Sequence, residues 1–199
     1  QIRLGDIEEL QVKGPTVMKG YWKRPDATAE VFTEDGWFRT GDQADLSDAG
    51  RIRIKGRIKE IIVTSTGEKI PPTDMELAIQ TDPLFEQVMV VGEARPFITA
   101  LAVVNEAEWE KFAKEFNVNP SDDRMLMRRD IRMAALKRLK KAASRFPQYG
   151  IPRNIRLLKE HWTVDNGCLT VTMKLRRPII REKLRAEIDE LYTVPQNNV

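Results

Sequence analysis

Reactive sulfur and imidazole are almost absent from this sequence of 199 residues, which has one cysteine, Cys168, and one histidine, His161. A single cysteine cannot form an internal disulfide, and this favours a reducing, cytoplasmic setting. A metal site built on several His or Cys ligands is excluded, and a Cys-His catalytic pair would require these two residues to meet in space.

Long apolar runs and a large net charge are lacking as well. No apolar stretch approaches the roughly 20 residues that span a bilayer, and no signal-peptide pattern follows Gln1. The charge excess of +3 is too small to indicate a nucleic acid or membrane partner unless the basic residues cluster. With 41% hydrophobic and 32% charged residues, the composition is typical of a globular protein. We interpret the start at Gln1, without a methionine, as a sign that the chain is a piece of a longer polypeptide.

The first sixty residues have the pattern of a small β-rich region. A strand is predicted in "DIEELQVKG", from Asp6, and a short helix is predicted to begin near Pro25. "QADLSDAGRIRIKGR" predicts a hairpin, whose turn consists of Asp48, Ala49 and Gly50.

Strands and helices alternate after about residue 60. Strands are predicted in "IKEIIV", before a glycine loop, and in "FEQVMVVGE", "FITALAVVN", "GIPRNIRLL" and "CLTVTMKL". We predict a helix in "PTDMELAIQ", with Thr73 as N-cap and Glu76 at the capping-box spacing, and a helix capped by Asn105. A long basic helix is predicted from Ser121 to Arg145, and a final helix has Pro178 in its first turn. The alternation indicates a compact α/β or α+β domain after the β-rich region, with a boundary near Gly56 to Lys59, and we assign the chain as a whole to the α+β class.

Four stretches now stand out together: "GPTVMKGYWKRPDAT", "DGWFRTGD", "GRIKEIIVTSTGEKIPP" and "LTVTMKLRR". In this order and spacing they resemble the C-terminal third of the adenylate-forming acyl-CoA synthetases, relatives of firefly luciferase and of peptide synthetase adenylation domains. Within that family the chain is most similar to long-chain fatty acid–CoA ligases, which have a helical insertion like the one at about 106–146 and write the last motif without the "GK" of other members.

The resemblance implies a reaction and a domain arrangement. Family members join a carboxylic acid to ATP, with Mg²⁺ on the phosphates, and then turn a mobile C-terminal domain so that CoA attacks the acyl-adenylate. It implies that residues 1–57 are the β-rich end of the N-terminal adenylation domain and that 58–199 form the mobile C-terminal domain. No metal ligand is expected in this chain, since the phosphates and residues outside it would hold most of the magnesium.

The resemblance also assigns roles to single residues. Asp42 matches the aspartate that accepts hydrogen bonds from the ribose hydroxyls, a task that suits an acceptor-only carboxylate. Arg57 matches an arginine that contacts the nucleotide near the ribose and phosphate, and a guanidinium fork suits such oxygen-rich ligands. Without the motif, Asp42 would be read as a turn residue and Arg57 as solvated surface.

Lys59 and Lys174 are assigned to movement and catalysis. Lys59 falls at the family's hinge position, where a few residues absorb a large change in φ and ψ. Lys174 matches the lysine that reaches the acyl carboxylate and α-phosphate during adenylation, where a positive charge offsets developing negative charge. Either lysine on its own would be read as plain surface, and only the flanking motifs distinguish them.

The loop that contains Ser65, Thr66, Gly67 and Glu68 matches the family turn that lines the CoA channel during thioester formation. Gly67 would let the backbone approach the narrow pantetheine arm. The loop lacks the GxxxxGK[ST] spacing of a Walker A motif. An ordinary strand-to-helix turn explains the individual side chains about equally well.

Other features are read as structural. The basic residues between 128 and 145 accompany apolar residues at helical spacing, which is typical of a helix packed on a core. A peripheral contact with anionic lipid, or with CoA phosphates, is the functional alternative. Nucleic acid binding is not predicted, because no aromatic residues interleave the basic ones. Cys168, Trp109 and Trp162 are expected in the core, and neither Cys168 nor His161 is expected to be catalytic.

We therefore expect the chain to be part of a long-chain fatty acid–CoA ligase and to be inactive alone, since the acyl pocket and phosphate loop of the family lie elsewhere. One alternative is a ligase for another acid, or one that passes the acyl group to a carrier protein. Another is a non-catalytic module that binds a partner or a membrane.

Overall fold

The computed structural model describes residues 1–48 and 50–193, and their packing divides the chain after Ile61 into two units. We call Gln1–Ile61 the first unit and the chain from Ile62 onward the second unit. Helices and sheets occur in both, which confirms the predicted α+β class. The boundary predicted between residues 57 and 58 concerns the domains of a longer enzyme and stays a prediction.

An antiparallel sheet of four strands, which pair in the order of the sequence, forms the centre of the first unit. Its elements are β1 (Ile2–Leu4), a 3-10 helix (Asp6–Glu8), β2 (Glu9–Val12), α1 (Pro25–Val31), β3 (Phe38–Asp45), β4 (Arg53–Arg57) and a second 3-10 helix (Ile58–Glu60). The helix at Pro25 and the β3–β4 hairpin are confirmed. Arg51 N–H donates to Asp48 O at 3.0 Å across the hairpin turn. Ala49, predicted to be in this turn, lies outside the described residues.

The strand predicted from Asp6 starts only at Glu9. Ile7 and Glu8 have φ values of 52° and 61°. This left-handed conformation cannot continue a strand, so the chain turns before β2 begins.

The second unit is built on a three-stranded sheet, whose middle strand pairs antiparallel with the strand before it in the sequence and parallel with the strand after it. The strands of the second unit are β5 (Ile62–Val63), β6 (Lys69–Ile70), β7 (Phe85–Val91), β8 (Thr99–Val104) and β9 (Ile155–Leu158). The first two form a separate pair, and the other three form the sheet. The unit's helices are α2 (Pro72–Ile79), α3 (Glu106–Glu115), α4 (Arg129–Ala142), α5 (Arg177–Lys183) and α6 (Arg185–Thr193), with 3-10 helices at Asp123–Met127 and Gln148–Gly150. As predicted, the side chain of Asn105 caps α3 by accepting from Glu108 N–H.

Both faces of this sheet are buried, which explains why the central strand is apolar at nearly every position. All six residues of β8 are at most 2% exposed. Alternate residues of β7 and β8 pack with α2, α3 and α4 on one face, and the others pack with α5 and α6 on the opposite face. A buried Val, Leu or Ile contributes about 1.5–3 kcal/mol, so the sheet with its two helical layers is the stable base of this unit.

The capping box predicted for α2 is wrong. Pro71 is the N-cap, with ψ 114° and no side-chain cap, and the helix starts at Pro72. A residue before proline is kept out of the helical region, so the Pro71-Pro72 pair sets the start and Thr73 already lies inside the helix. Glu76 is thereby available for another contact, described below.

The long helix predicted from Ser121 is also wrong in its first part. A 3-10 helix, Asp123–Met127, ends at Arg128, whose ψ of 134° is extended, and α4 begins at Arg129. In a continuous helix Leu126 and Ile131 would point about 140° apart, at about 100° per residue. The break at Arg128 allows both side chains to enter the same core.

The predicted C-terminal helix is divided into α5 and α6 at Leu184, where φ is −108° and ψ is 29°. Leu184 N–H still donates to Ile180 O at 3.0 Å, and Ile188 N–H donates to Leu184 O at 2.9 Å. The helical direction therefore changes without loss of these bonds, and Ile180 and Ile188 both reach the core.

Candidate functional site

Asp42 and Arg57 face each other across β3 and β4 in the first unit. They are register partners, and Arg57 Nε lies 2.9 Å from Asp42 Oδ1. The Asp42 side chain is 26% exposed and that of Arg57 is 54% exposed. An ion pair this exposed contributes about 0–1 kcal/mol, so folding stability alone does not account for the arrangement.

The backbone around Asp42 is held firmly. Gly41, with φ 72°, turns the chain directly before it. Asp42 N–H donates to Thr40 Oγ1 at 3.1 Å, and that hydroxyl donates to Leu10 O at 2.8 Å. One ion pair uses only part of the acceptor capacity of a carboxylate, so Asp42 can still accept hydrogen bonds from two hydroxyl groups.

Asp35, the first aspartate of the same motif, has a structural task. It accepts two hydrogen bonds from Arg3, at 2.7 and 3.0 Å, and one from the Thr33 hydroxyl at 2.7 Å. The hydrogen bonds from Arg3, followed by the one from Thr33, lower the pKa of Asp35 to about 2. The Arg3 guanidinium also lies 4.5 Å from the ring centroid of Trp37. Asp35 and Trp37 therefore bind within the first unit, whereas Asp42 is the ligand candidate of "DGWFRTGD".

Lys59 lies in the 3-10 helix Ile58–Glu60 with an exposed side chain. The residues that flank this helix are extended, with ψ 132° at Arg57 and 122° at Ile61. A short helix between extended residues can absorb a change in backbone angles. The hinge role of Lys59 stays a prediction.

Lys174 is the last residue of a tight turn, Thr170–Lys174, which we call the lysine turn. Thr170 N–H donates to Lys174 O at 2.9 Å, and Lys174 N–H donates back to Thr170 Oγ1 at 3.1 Å. Thr170 Oγ1 lies 3.0 Å from Thr172 Oγ1, and Met173 N–H donates to Thr170 O at 2.8 Å. These bonds fix the backbone of Lys174 from both sides, and its side chain extends into solvent.

The strand predicted for "CLTVTMKL" is therefore wrong. Leu169 and Leu175 form only an isolated antiparallel bridge. Between them the Thr170 hydroxyl takes the Lys174 N–H that a strand partner would need, and Met173 has a φ of 61°. Alternating apolar residues in this stretch gave no sign of the turn.

The loop predicted to line the CoA channel folds in the same way as the lysine turn. In Thr64–Glu68, the glutamate turn, Thr64 N–H donates to Glu68 O at 3.0 Å and Glu68 N–H donates to Thr64 Oγ1 at 3.1 Å. Thr64 Oγ1 lies 2.9 Å from Thr66 Oγ1, and Gly67 N–H donates to Thr64 O at 3.0 Å with φ 84° at Gly67. Ser65, Thr66 and Gly67 are exposed, and Glu68 is half-buried.

The surroundings of the glutamate turn anchor it to the sheet. Val63 and Lys69 pair across β5 and β6 on either side of it. Ser65 N–H donates to Arg95 O at 2.9 Å, and Ala94 N–H donates to Val63 O at 2.9 Å. The segment between β7 and β8 thus supports this turn through its backbone.

A buried ion pair that sequence reasoning missed anchors the chain just after the lysine turn. Arg177 makes two hydrogen bonds of 2.6 Å to the carboxylate of Glu76, whose Oε1 also accepts from Val90 N–H at 2.8 Å. The two side chains are 17% and 6% exposed, respectively. They are 101 residues apart in sequence, and no local pattern links them.

Three residues that the sequence predicts to be structural lie in the core. Trp109, Trp162 and Cys168 are buried at 2–4% exposure, and Cys168 is a free thiol. His161 Nε2 lies 3.3 Å from Glu86 Oε2 at the surface.

Helix α4 packs on the core, as predicted for the basic segment. Ile131, Ala135 and Leu139 are fully buried on its inner face. Arg138 binds Asp82 with two hydrogen bonds of 2.9 and 2.6 Å. The exposed lysines of the outer face are Lys137, Lys140 and Lys141.

Within 1–48 and 50–193, no group of three His, Cys, Asp or Glu side chains could hold a metal ion. In the same residues no helix has the length and apolar character needed to cross a membrane.

The candidate residues are thus divided between the units. Asp42 and Arg57 form one pair in the first unit, with Lys59 at its end. Lys174 and the glutamate turn belong to the second unit.

The AMP-binding enzyme C-terminal domain family matches residues 59–195. The long-chain-fatty-acid–CoA ligase FadD15 of Mycobacterium tuberculosis is 36% identical over 96% of this chain and 32% of its own length. The long-chain-fatty-acid–CoA ligase 1 of Cavia porcellus is 34% identical over 96% of this chain and 30% of its own. The chain thus spans about a third of the length of these relatives.

Among solved structures, the A–PCP didomain of carboxylic acid reductase from Segniliparus rugosus in complex with AMP matches 93% of this chain and 24% of its own chain. The TM-score is 0.75 at 28% sequence identity. The fold described above is therefore that of an adenylation domain's C-terminal portion.

Proposed function

Because the chain belongs to the AMP-binding enzymes through their C-terminal domain, we propose that it forms the C-terminal part of a long-chain fatty acid–CoA ligase. Such an enzyme joins a fatty acid to ATP, releases pyrophosphate, and transfers the acyl group from AMP to the thiol of CoA. The two relatives at 34% and 36% identity support the fatty acid and CoA assignments. Since the chain spans about a third of each, the rest of the enzyme would contribute the acyl pocket and the phosphate loop.

The observation that carries the proposal is the geometry of the lysine turn. Its hydrogen bonds hold the Lys174 backbone while the ammonium group reaches solvent, and no described residue pairs with that group. We propose that this cation enters the adenylation site and lies beside the acyl carboxylate and the α-phosphate. A preorganised charge there can contribute roughly 3 kcal/mol to the transition state.

We propose that the Asp42–Arg57 pair holds the nucleotide. Asp42 would accept hydrogen bonds from the ribose hydroxyls, and the exposed guanidinium of Arg57 would donate to oxygens near the ribose and phosphate. Lys59 would be the point about which the second unit turns between the two half-reactions.

Magnesium would enter the nucleotide site bound to ATP. Mg²⁺ prefers oxygen ligands and is commonly held by one or two carboxylates together with substrate phosphates. The described residues supply no cluster of three ligands for it. We propose that the ATP phosphates and the rest of the enzyme hold the ion, and that its charge helps to offset that of the phosphates.

A carrier protein is a second candidate for the acyl acceptor. The observation that favours it is the likeness to an adenylation domain joined to a PCP domain. Pantetheine provides the thiol in both cases, so the two acceptors differ in what surrounds that arm.

A non-catalytic module remains the rival from a different class, and its surface would be the exposed lysines of α4. For this surface we propose a cytoplasmic setting with a peripheral contact at anionic membranes. Arg138 and Ile131 of the same helix bind and pack within the second unit, so only the outer face is available for such a contact.

The test uses the full-length parent, wild type beside Lys174→Ala, with Lys140→Ala as a matched loss of an exposed lysine. ATP–pyrophosphate exchange is followed over a series of fatty acids, and thioester formation is followed separately from preformed acyl-adenylate with CoA or a carrier protein. We expect Lys174→Ala to lose about 100-fold in exchange, in line with roughly 3 kcal/mol, and to keep thioester formation. Lys140→Ala should match wild type in both assays.

Three results would count against the proposal. Wild type without exchange for any acid would refute the ligase, and lipid binding that Lys140→Glu abolishes would then favour the module. Equal loss in Lys174→Ala and Lys140→Ala would refute the role of the lysine turn. Acid-dependent pyrophosphate release by the 199 residues alone would show that the chain needs no further domain.

A further inference from the structure

The glutamate turn repeats the lysine turn bond for bond, with the opposite charge at its end. We propose that Glu68 accepts the proton of the acceptor thiol during thioester formation, in the place that Lys174 occupies during adenylation. This rests on the proposed function, because it assigns the second half-reaction of the same enzyme to the second turn.

The end positions of the two turns are equivalent in their hydrogen bonds. Glu68 and Lys174 each donate their N–H to a threonine hydroxyl four residues earlier, and each accepts from that threonine's N–H. The four corresponding bonds differ by at most 0.2 Å in length. Glu68 is thus held in its turn in the same way as Lys174.

The surroundings of Glu68 leave its carboxylate available among the residues that the structure describes. The carboxylate makes no hydrogen bond or ion pair with any residue that the structure describes. The charged residues on the segments that support the turn bind other groups or face solvent. Glu93 Oε2 accepts from Val63 N–H, and Arg95 binds Asp189. Lys69, which follows Glu68, is exposed on β6. The Glu68 carboxylate is therefore available to a ligand, in the same sense as the Lys174 ammonium.

The charge at the end of each turn has the sign that suits one of the two half-reactions. Adenylation brings a carboxylate and a triphosphate together, so a cation is needed at the reacting atoms. Thioester formation starts from a neutral thiol, which is a poor nucleophile until it loses its proton. A carboxylate serves this need and a lysine ammonium does not, because the ammonium has no lone pair for a proton.

Thioester formation with Glu68 as the base breaks two bonds and forms two. The thiol proton moves to the Glu68 carboxylate while the sulfur forms a bond to the acyl carbon. The bond between that carbon and the phosphate oxygen of the adenylate breaks, and AMP leaves with the electron pair on its phosphate. Glu68 then returns its proton to solvent.

The test is Glu68→Gln in the full-length parent, which keeps the shape of the side chain and removes its charge. Glu110→Gln, on the exposed side of α3, is the matched control. Pyrophosphate exchange, and separately thioester formation with CoA, are measured between about pH 7 and pH 9.5. This range crosses the ordinary thiol pKa of about 8.5.

We expect Glu68→Gln to keep pyrophosphate exchange and to lose about 100-fold in thioester formation near neutral pH, the usual scale of proton transfer by a positioned group. The loss should shrink to severalfold at the alkaline end, because there the thiolate forms without help. A pH-independent loss would mean a structural role, and an unchanged rate or an equal loss of exchange would also overturn the inference. If wild type itself shows no exchange, the proposed function fails first, and the two failures are thereby distinguished.

Discussion

The glutamate turn and the lysine turn share one hydrogen-bond pattern, but they sit differently in the second unit. Thr64 is 5% exposed, and the glutamate turn is flanked by a strand pair and tied to Arg95. The lysine turn is flanked by a single bridge, and its Val171 and Met173 are 86% and 67% exposed. One pattern of local bonds thus serves both an embedded turn and a protruding one. The two turns differ in the segments that support them and in the charge of their last residue.

The largest expected effect comes from removing the support behind the lysine turn. Arg177→Met leaves the buried Glu76 carboxylate without its cation, and such a loss costs about 3–5 kcal/mol. Urea unfolding followed in the second unit should show a decrease of this size. Pyrophosphate exchange should fall more than thioester formation, because the bond that anchors the end of the lysine turn is gone.

The matched control adds Glu76→Gln to Arg177→Met. A glutamine is neutral and can still accept the Val90 N–H, so the double variant should recover most of the lost stability. If the single and double variants unfold at the same urea concentration, the uncompensated charge is not the cause.

Whether the sequence predicts a structural feature depends on how far apart in the sequence the interacting residues lie. Asn105 as the cap of α3 and the apolar pattern of β8 involve neighbours in sequence, and both predictions are confirmed. The pairing of Glu76 with Arg177 joins residues 101 positions apart. In the sequence Glu76 fits a capping box equally well, and only the Pro71-Pro72 geometry removes that alternative.

The lysine turn shows a different limit. "CLTVTMKL" has the alternation of a strand, and the competing bonds of a threonine hydroxyl leave no mark in that pattern. The glutamate turn offered the missing signal, since "TSTGE" and "TVTMK" share two threonines at the same spacing. The roles of Lys59, Asp42 and Lys174 come from family resemblance and stay predictions.

An intermediate effect is expected when each turn loses its own threonine hydroxyl. Thr170→Val removes the acceptor of Lys174 N–H, and Thr64→Val removes that of Glu68 N–H. A lost hydrogen bond of this kind costs about 1 kcal/mol, and up to about 3 where the group is buried. Thr64→Val should therefore lower the free energy of unfolding more than Thr170→Val.

The rates of the two half-reactions should distinguish these two variants more clearly than their free energies of unfolding do. We expect Thr170→Val to slow pyrophosphate exchange about tenfold, the equivalent of about 1.4 kcal/mol, and to spare thioester formation, with the reverse for Thr64→Val. Thr170→Ser and Thr64→Ser keep the hydroxyl and should behave as wild type. Loss of both half-reactions in either valine variant would show that the turns do not act separately.

The smallest expected effect tests the position with positive φ, where the glutamate turn has a glycine and the lysine turn has a methionine. Gly67 and Met173 both have positive φ, 84° and 61°. A side chain in this region costs about 1–2 kcal/mol, which only glycine avoids. Gly67→Ala should thus destabilise by about 1 kcal/mol, whereas Met173→Gly should change stability by less than about 1, since relief of strain is offset by the entropy that glycine loses on folding. Urea unfolding measures both. If Met173→Gly destabilises as much as Gly67→Ala, then the exposed Met173 side chain makes a stabilising contact, and the lysine turn is more than a protruding copy of the glutamate turn.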